Sequence, residues 1–308
     1  MKHQKHYRKL LFLLVMLSAA TFGMAQQAVT VKDSITHEAI PFVSVYFGNE
    51  SGGYTDEQGS IVIPNGAKQI RLSHICYETK SVTTAAVAAQ TIFLVPKSIN
   101  LGEVAVVAKS PKRIKVAEVG LTKAKTQTKH KGANGFEMAL FIPYDSTWTE
   151  TPYIHSILAS LDYSTHYLVF TEIKNPIYAT LRFDLRLPDA KTNAPKDESI
   201  IGGGIILPSS QKLGKDGISL INPIPFPRTG VFVVVEWITT VQVSESCNLV
   251  PSLNMTLDEV DNRTWNKKTF RGMDWMHEQN EPAYQNEEAQ VFYKGRTPSA
   301  KLGLKISK

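Results

Sequence analysis

The last 45 residues of the chain hold Trp265, Phe270, Trp275, Tyr284, Phe292 and Tyr293, close to Arg263, Asp274, His277 and Glu278. Flat aromatic faces stack on sugar rings while carboxylates and amides take the hydroxyls. Trp265, Trp275, Tyr284 and Tyr293 are therefore the candidates for binding a ligand. The competing reading is that these rings close a hydrophobic core, where aromatics usually contribute most, and it is the weightier of the two. Trp237, inside "VVVEWI", belongs to a core on either reading, which leaves Glu236 to face outward or to find a partner.

The stretch "NESGGYTDEQGSIVIP" (49–64) supplies three more acids, Glu50, Asp56 and Glu57. Calcium takes six to eight oxygens, a number these residues approach only if two adjacent turns converge. Turn chemistry is simpler: Asp56 accepts backbone N–H groups and Gly59 takes a positive φ without steric cost. A zinc peptidase needs paired ligands at set spacing. None of the eight histidines has Glu three residues on, and His277-Glu278 opens "HEQNE", with no second imidazole one turn later. There is no G-x-S-x-G elbow. "GGG" (202–204) lies in a strand-like context with no helix after it, so it reads as a bend and not a phosphate cradle. His155, Ser156, Asp162 and His166 could be drawn as a relay, but successive strand residues point to opposite faces. Cys76 has no visible imidazole partner and reads as an inert thiol. The expectation is a non-enzyme, with no catalytic residue, cofactor or metal.

Strands must carry these groups. "PFVSVYF" (41–47) alternates Val43, Val45 and Phe47 against Phe42, Ser44 and Tyr46. Gly52-Gly53, "DEQG" (56–59) and Pro64-Asn65-Gly66 read as turns between short strands, and six or seven strands within about 70 residues suggest a small β-sandwich. Further on, "IYATLRFDLRL" (177–187) sets Ala179, Leu181, Phe183, Leu185 and Leu187 against Thr180, Arg182, Asp184 and Arg186. "VFVVVEWITTVQV" (231–243) is apolar on both faces and reads as a central strand. "PIPFPRTG" (223–230) reads as an irregular connection that excludes helix. These strands and loops suggest a second, jelly-roll-like sandwich.

The N-terminus combines Lys2, Lys5, Arg8 and Lys9 with the apolar run "LLFLLVMLSAA" and small residues at Gly23 and Ala25. That is the pattern of a secretory signal peptide over residues 1–25, cut before Gln26. Eleven apolar residues are too few to span ~30 Å of hydrocarbon at about 1.5 Å each. Removing the four basic residues of the leader takes the net charge from +6 to +2, so nothing calls for a nucleic-acid partner. No later run is long enough for a membrane helix, so no transmembrane segment is expected in the mature chain. Cys76 and Cys247 are two thiols in an oxidising compartment and do not make a disulfide framework; whether they pair is left open.

"VKDSITHEAIPFVSVYF…GGYTDEQGSIVI…IRLSHICYET" resembles the carboxypeptidase regulatory-like domain family. The matching positions are Asp33, Thr36, Glu38 and Pro41, then Gly53, Thr55, Asp56, Glu57 and Gly59, with Cys76 where the family usually has Gly. The resemblance implies a transthyretin-like β-sandwich that is accessory and has no peptidase activity of its own. "INLGEVAVVAK" (99–109) looks like the strand that follows this domain in Gram-negative envelope proteins, and too few residues remain for a TonB-dependent barrel. The expected organisation is all-β: signal peptide 1–25, regulatory-like sandwich 26–97, strand plus linker 98–134, and jelly-roll-like sandwich 135–308. The expected role is a binding or scaffold module that meets an envelope protein or a glycan in the periplasm or at the outer membrane. The alternative is a secreted hydrolase acting on peptide or glycan.

Overall fold

The structure, a computed structural model, describes residues 27–84, 91–97, 116–168, 171–172, 175–240, 249–258, 261–272 and 274–307. The expected leader, the 99–109 strand and Cys247 lie outside the described residues. The fold is all-β and sandwich-like.

The first module contains β1 (Gln27–Asp33), β2 (Ser44–Gly48), β3 (Ser51–Tyr54), β4 (Ser60–Ile63), β5 (Gln69–His74), β6 (Tyr77–Thr83) and β7 (Thr91–Leu94). They form two sheets, ordered β4-β1-β7 and β3-β2-β5-β6. Period-two alternation sends Val29 and Val31, Val43 and Val45, Ile61 and Ile63, and Ile70 and Leu72 into one shared core. One turn differs from the sequence reading. The β2–β3 hairpin turns at Asn49-Glu50, both at positive φ (50° and 56°), while Gly52 and Gly53 lie within β3. Gly52 is needed for a close approach: a Cβ there would sit 2.1 Å from the Phe270 ring of the second module.

The second module begins earlier than its composition suggests. Its first strands are β8 (Val116–Gly120), β9 (Thr128–Gly132), β10 (Phe136–Ile142), β11 (Tyr153–Ala159) and β12 (Leu161–Asp162). β13 (His166–Leu168), β14 (Thr171–Glu172), β15 (Ile177–Tyr178), β16 (Thr180–Pro188), β17 (Pro195–Ser199) and β18 (Ile205–Leu207) follow. The rest are β19 (Ile218–Pro225), β20 (Val231–Ile238), β21 (Leu249–Thr256), β22 (Thr264–Lys268), β23 (Met276–His277), β24 (Ser299–Ala300) and β25 (Leu302–Ser307).

Within the segment read as strand plus linker, β8 pairs with β25 and β9 with β21. Ala117, Val119 and Leu121 pack against the core, and the Lys- and Thr-rich composition that suggested a linker belongs largely to their neighbours. The Pro-rich 223–230 stretch is likewise not wholly irregular. Pro223 and Pro225 end β19, an edge strand, where a missing N–H costs no ladder bond.

The main sheet runs β17-β16-β20-β10-β22-β23, with β18 also on β16. β20 is central and buried along its whole length, as its two-faced apolar pattern predicts. On the inner face Leu181, Phe183, Leu185, Met138, Leu140, Val233 and Val235 meet Ile154, Ile157, Leu253, Leu302, Leu304 and Ile306 from the opposing sheets. Trp237 is fully buried there, and its Nε1 donates to the Pro251 carbonyl at 2.8 Å. The outer face of the same sheet carries the polar residues of β16, and that face holds the candidate site.

Candidate ligand-binding site

Register places Arg182 of β16 opposite Glu236 of β20, Glu236 opposite Glu137 of β10, and Glu137 opposite Lys267 of β22. Two facing carboxylates repel unless cations intervene. Arg182 Nη1 lies 2.9 Å from Glu236 Oε2, and Arg186 Nη1 lies 2.9 Å from Glu137 Oε2. Arg186 Nε also donates to Asp184 Oδ2 at 2.8 Å, and the Ser199 hydroxyl donates to Asp184 Oδ1 at 2.5 Å. Alternation predicts that Arg182, Asp184 and Arg186 share a face; the structure adds that the face is buried.

Part of the cover is the first module. Tyr54 donates its hydroxyl to Glu236 Oε1 at 2.5 Å, and Arg182 Nη2 donates to the Phe42 carbonyl at 2.8 Å. Phe42 holds a positive φ of 56°, an uncommon state for a bulky residue. Tyr54, Ile238 and Phe270 form a small apolar cluster beside these bonds, with Phe42 and Ile206 against it. The triple glycine is also part of the junction. Gly202, Gly203 and Gly204 all have positive φ, and a Cβ on Gly203 would fall 2.3 Å from Cys76 Sγ. Cys76 is a free, half-buried thiol that meets the Gly202 carbonyl at 3.5 Å.

Burial sets the electrostatics. It pushes the Glu236 carboxyl up, with Arg182 pulling it back, and it pushes Asp184 up against the pull of Arg186. Tyr54 is raised well above the ordinary phenol range by burial and by Glu236. Burial opposes the charge of Arg186, but Glu137 and Asp184 outweigh it and hold the guanidinium protonated. Nearby His74 is lowered to about 3 by burial and by Arg182, so its imidazole is neutral. These groups are enclosed, and the bonds from Tyr54 to Glu236 and from Arg182 to the Phe42 carbonyl make the Arg182–Glu236 end of the ladder a clasp between modules.

The same sheet face continues into an aromatic area. Trp265 and Trp275 pack on Ala139, Phe232 and Val234. Both indoles are half-buried and line one open groove of about 770 Å³, whose other wall is the 187–200 hairpin. The Arg186 guanidinium and the Lys267 ammonium lie 5.7 and 5.8 Å from the Trp275 ring centre, within cation–π range. Lys267 also bonds Asp197 at 2.9 Å. A larger concavity of about 970 Å³ lies mainly on the first module, where Tyr46 is the partly exposed ring and Arg71 lies 5.6 Å from its centre; it brings no pair of indoles together.

The four candidate aromatics therefore divide. Trp265 and Trp275 come together; Tyr284 and Tyr293 meet edge to face, with ring centres 5.5 Å apart, within a helical excursion that includes α1 (Glu287–Phe292). Glu278 anchors that excursion. It is buried, accepts Asn266 Nδ2 at 2.6 Å and bonds Tyr284, and burial raises its carboxyl to about 7.

The other sequence candidates have local roles. Asp56 Oδ1 accepts Gln58 N at 3.0 Å and Ser60 N at 2.8 Å, and Gly59 has φ +71°. Thr55 Oγ1 accepts Val43 N and donates to the Ile40 carbonyl, and Asp33 accepts Ile35 N, Thr36 N and the Tyr77 hydroxyl. Asp162 pairs with Lys129 and Ser164, and the side chain of His166 lies outside the described residues. Among the described residues no three His, Cys, Asp or Glu side chains converge as metal ligands.

No family model, curated protein or solved structure matches the chain. As a unit the clasp is not legible in local sequence pattern. Its signal was present in Arg182-x-Asp184-x-Arg186 on one strand and a lone Glu236 in an otherwise apolar one, since charges in buried strands need partners.

Proposed function

We propose that the chain is a non-catalytic, exported protein of the Gram-negative envelope. Its second module binds a glycan in the Trp265–Trp275 groove, and the regulatory-like first module is a scaffold clasped to it. The observation that carries the reading is the pair of half-buried indoles lining one open groove rimmed by carboxylates, the arrangement that stacks on sugar rings and bonds their hydroxyls. Export is supported by the leader pattern of residues 1–25. The accessory role is supported by the resemblance around Asp33, Thr55 and Gly59.

The test is a glycan array with the purified chain, beside Trp265→Ala/Trp275→Ala and Tyr284→Ala/Tyr293→Ala. The tryptophan pair should abolish binding while far-UV circular dichroism is unchanged, and the tyrosine pair should retain it. Equal loss in both would separate binding from the groove. Release of shortened products from glycans or peptides would move the reading to the secreted hydrolase. Saturable binding of a purified envelope protein, unaffected by the tryptophan changes, would move it to a protein scaffold.

A further inference from the structure

The groove has a charge as well as a shape. Asp189, Asp197, Glu198 and Asp274 line it against Lys196 and Lys267, and Lys267 is already bonded to Asp197. Asp189 spends Oδ1 on Lys191 N and Thr192 N, both at 2.9 Å, which lowers its carboxyl and keeps it ionised. Burial would raise Asp197, but Lys267 outweighs it and the net shift is downward. The walls are therefore anionic where they meet the ligand.

The floor offers carbon surface. The Nε1 atom of Trp275 is buried without a hydrogen-bond partner, so what the ring presents is its apolar body and π-face. That ring already attracts two cations from the protein itself, as the negative face of an indole does. A ligand that fits both features has apolar C–H faces for stacking and protonated amines for the rim. Uronic-acid or sulfated glycans fit the floor and are repelled by the rim. Neutral glycans fit the floor and leave the rim carboxylates with water.

Building on the glycan reading above, we propose that the groove selects oligosaccharides of hexosamine with free, protonated amino groups. The ammonium groups lie against Asp274 and Glu198 and the sugar faces against Trp265 and Trp275. No covalent step is involved; the selection is by stacking and charge.

The experiment is a calorimetric or tryptophan-fluorescence titration of the full chain at mildly acidic pH. The probes are equal-length β-1,4-linked oligomers of glucosamine, N-acetylglucosamine, glucose and galacturonate. Glucosamine oligomers should bind on the order of tenfold more tightly than the acetylated or neutral ones, the size expected from one or two exposed charge pairs. Added salt should erase that preference, and so should Asp274→Asn, a change at an exposed position. Trp275→Ala should lose binding to every probe. Equal affinity for the charged and neutral oligomers would overturn the amine selection and leave the glycan groove intact. Preference for galacturonate would overturn the charge argument itself. Binding of no oligomer at all would remove the glycan reading together with the inference.

Discussion

Asp56 and Gly59 stabilise one turn by different means, and substitution separates them. The Asp56 carboxylate holds two backbone N–H groups, so Asp56→Ala should cost on the order of 1 kcal/mol. Gly59 combines φ +71° with a backbone oxygen, that of Val31, 2.7 Å from where a Cβ would sit. A β-branched side chain meets strain and a clash together, so Gly59→Val should cost about 2 kcal/mol or more. Chemical denaturation of both variants, with and without EDTA, checks the ranking. A chelator effect on the parent that disappears in Asp56→Ala would show an ion in the turn. The turn residues were legible because their chemistry is local. Asn49-Glu50 was not, because Gly52-Gly53 offered the stronger local turn signal. Gly52 is instead fixed by Phe270, more than two hundred positions away, and no local pattern reports such a contact.

At the scale of elements, strands with two clear faces were readable, β16 and β20 above all. Their alternation and length specify a central pair whose inner residues enter the core. What covers the outer face was not readable, since periodicity separates faces without saying what packs on each. β8 and β9 were hidden for a related reason: Lys- and Thr-rich neighbours flank the short apolar β8, β9 (TKHKG) is itself polar, and their pairing partners lie far along the chain. The excursion after β23 is another such element, and it carries a pH dependence. Folded Glu278 titrates at about 7, raised first by burial, with Glu281 adding to the shift and Asn266, Tyr284 and Lys268 opposing it. An unfolded glutamic acid titrates near 4.3. Below that value both states are protonated and nothing is lost. As pH rises, the unfolded state releases its proton first, so stability falls until about pH 7 and then levels. The full fall is on the order of 3 kcal/mol. Glu278→Gln keeps an acceptor for Asn266 and Tyr284 and cannot ionise. Its melting temperature near neutral pH should match or exceed that of the parent, with a flatter slope at acidic pH. An unchanged slope in Glu278→Gln would show that another group carries the titration.

For the whole molecule, composition suggests two modules on a polar tether, and the structure shows them clasped through buried charge. Enclosing two guanidiniums and three carboxylates is expensive, and their attraction in low dielectric roughly offsets the desolvation. The net gain from such a pair is small, but deleting one partner strands the other. Arg182→Ala would leave Glu236 buried beside Glu137 and leave the Phe42 carbonyl without its donor. The cost should be about 3–5 kcal/mol, or roughly 10 °C in melting temperature for a protein of this size. Because Glu236 also holds Tyr54 across the junction, the loss should appear as uncoupling as well as destabilisation. Calorimetry of the parent should then show one cooperative transition, and Arg182→Ala should show two, the first module melting apart from the second. Replacing the pair together, Arg182→Met with Glu236→Leu, removes both charges and should recover most of the lost stability. Two independent transitions in the parent, or an Arg182→Ala protein that melts like it, would show that the modules fold and stand separately.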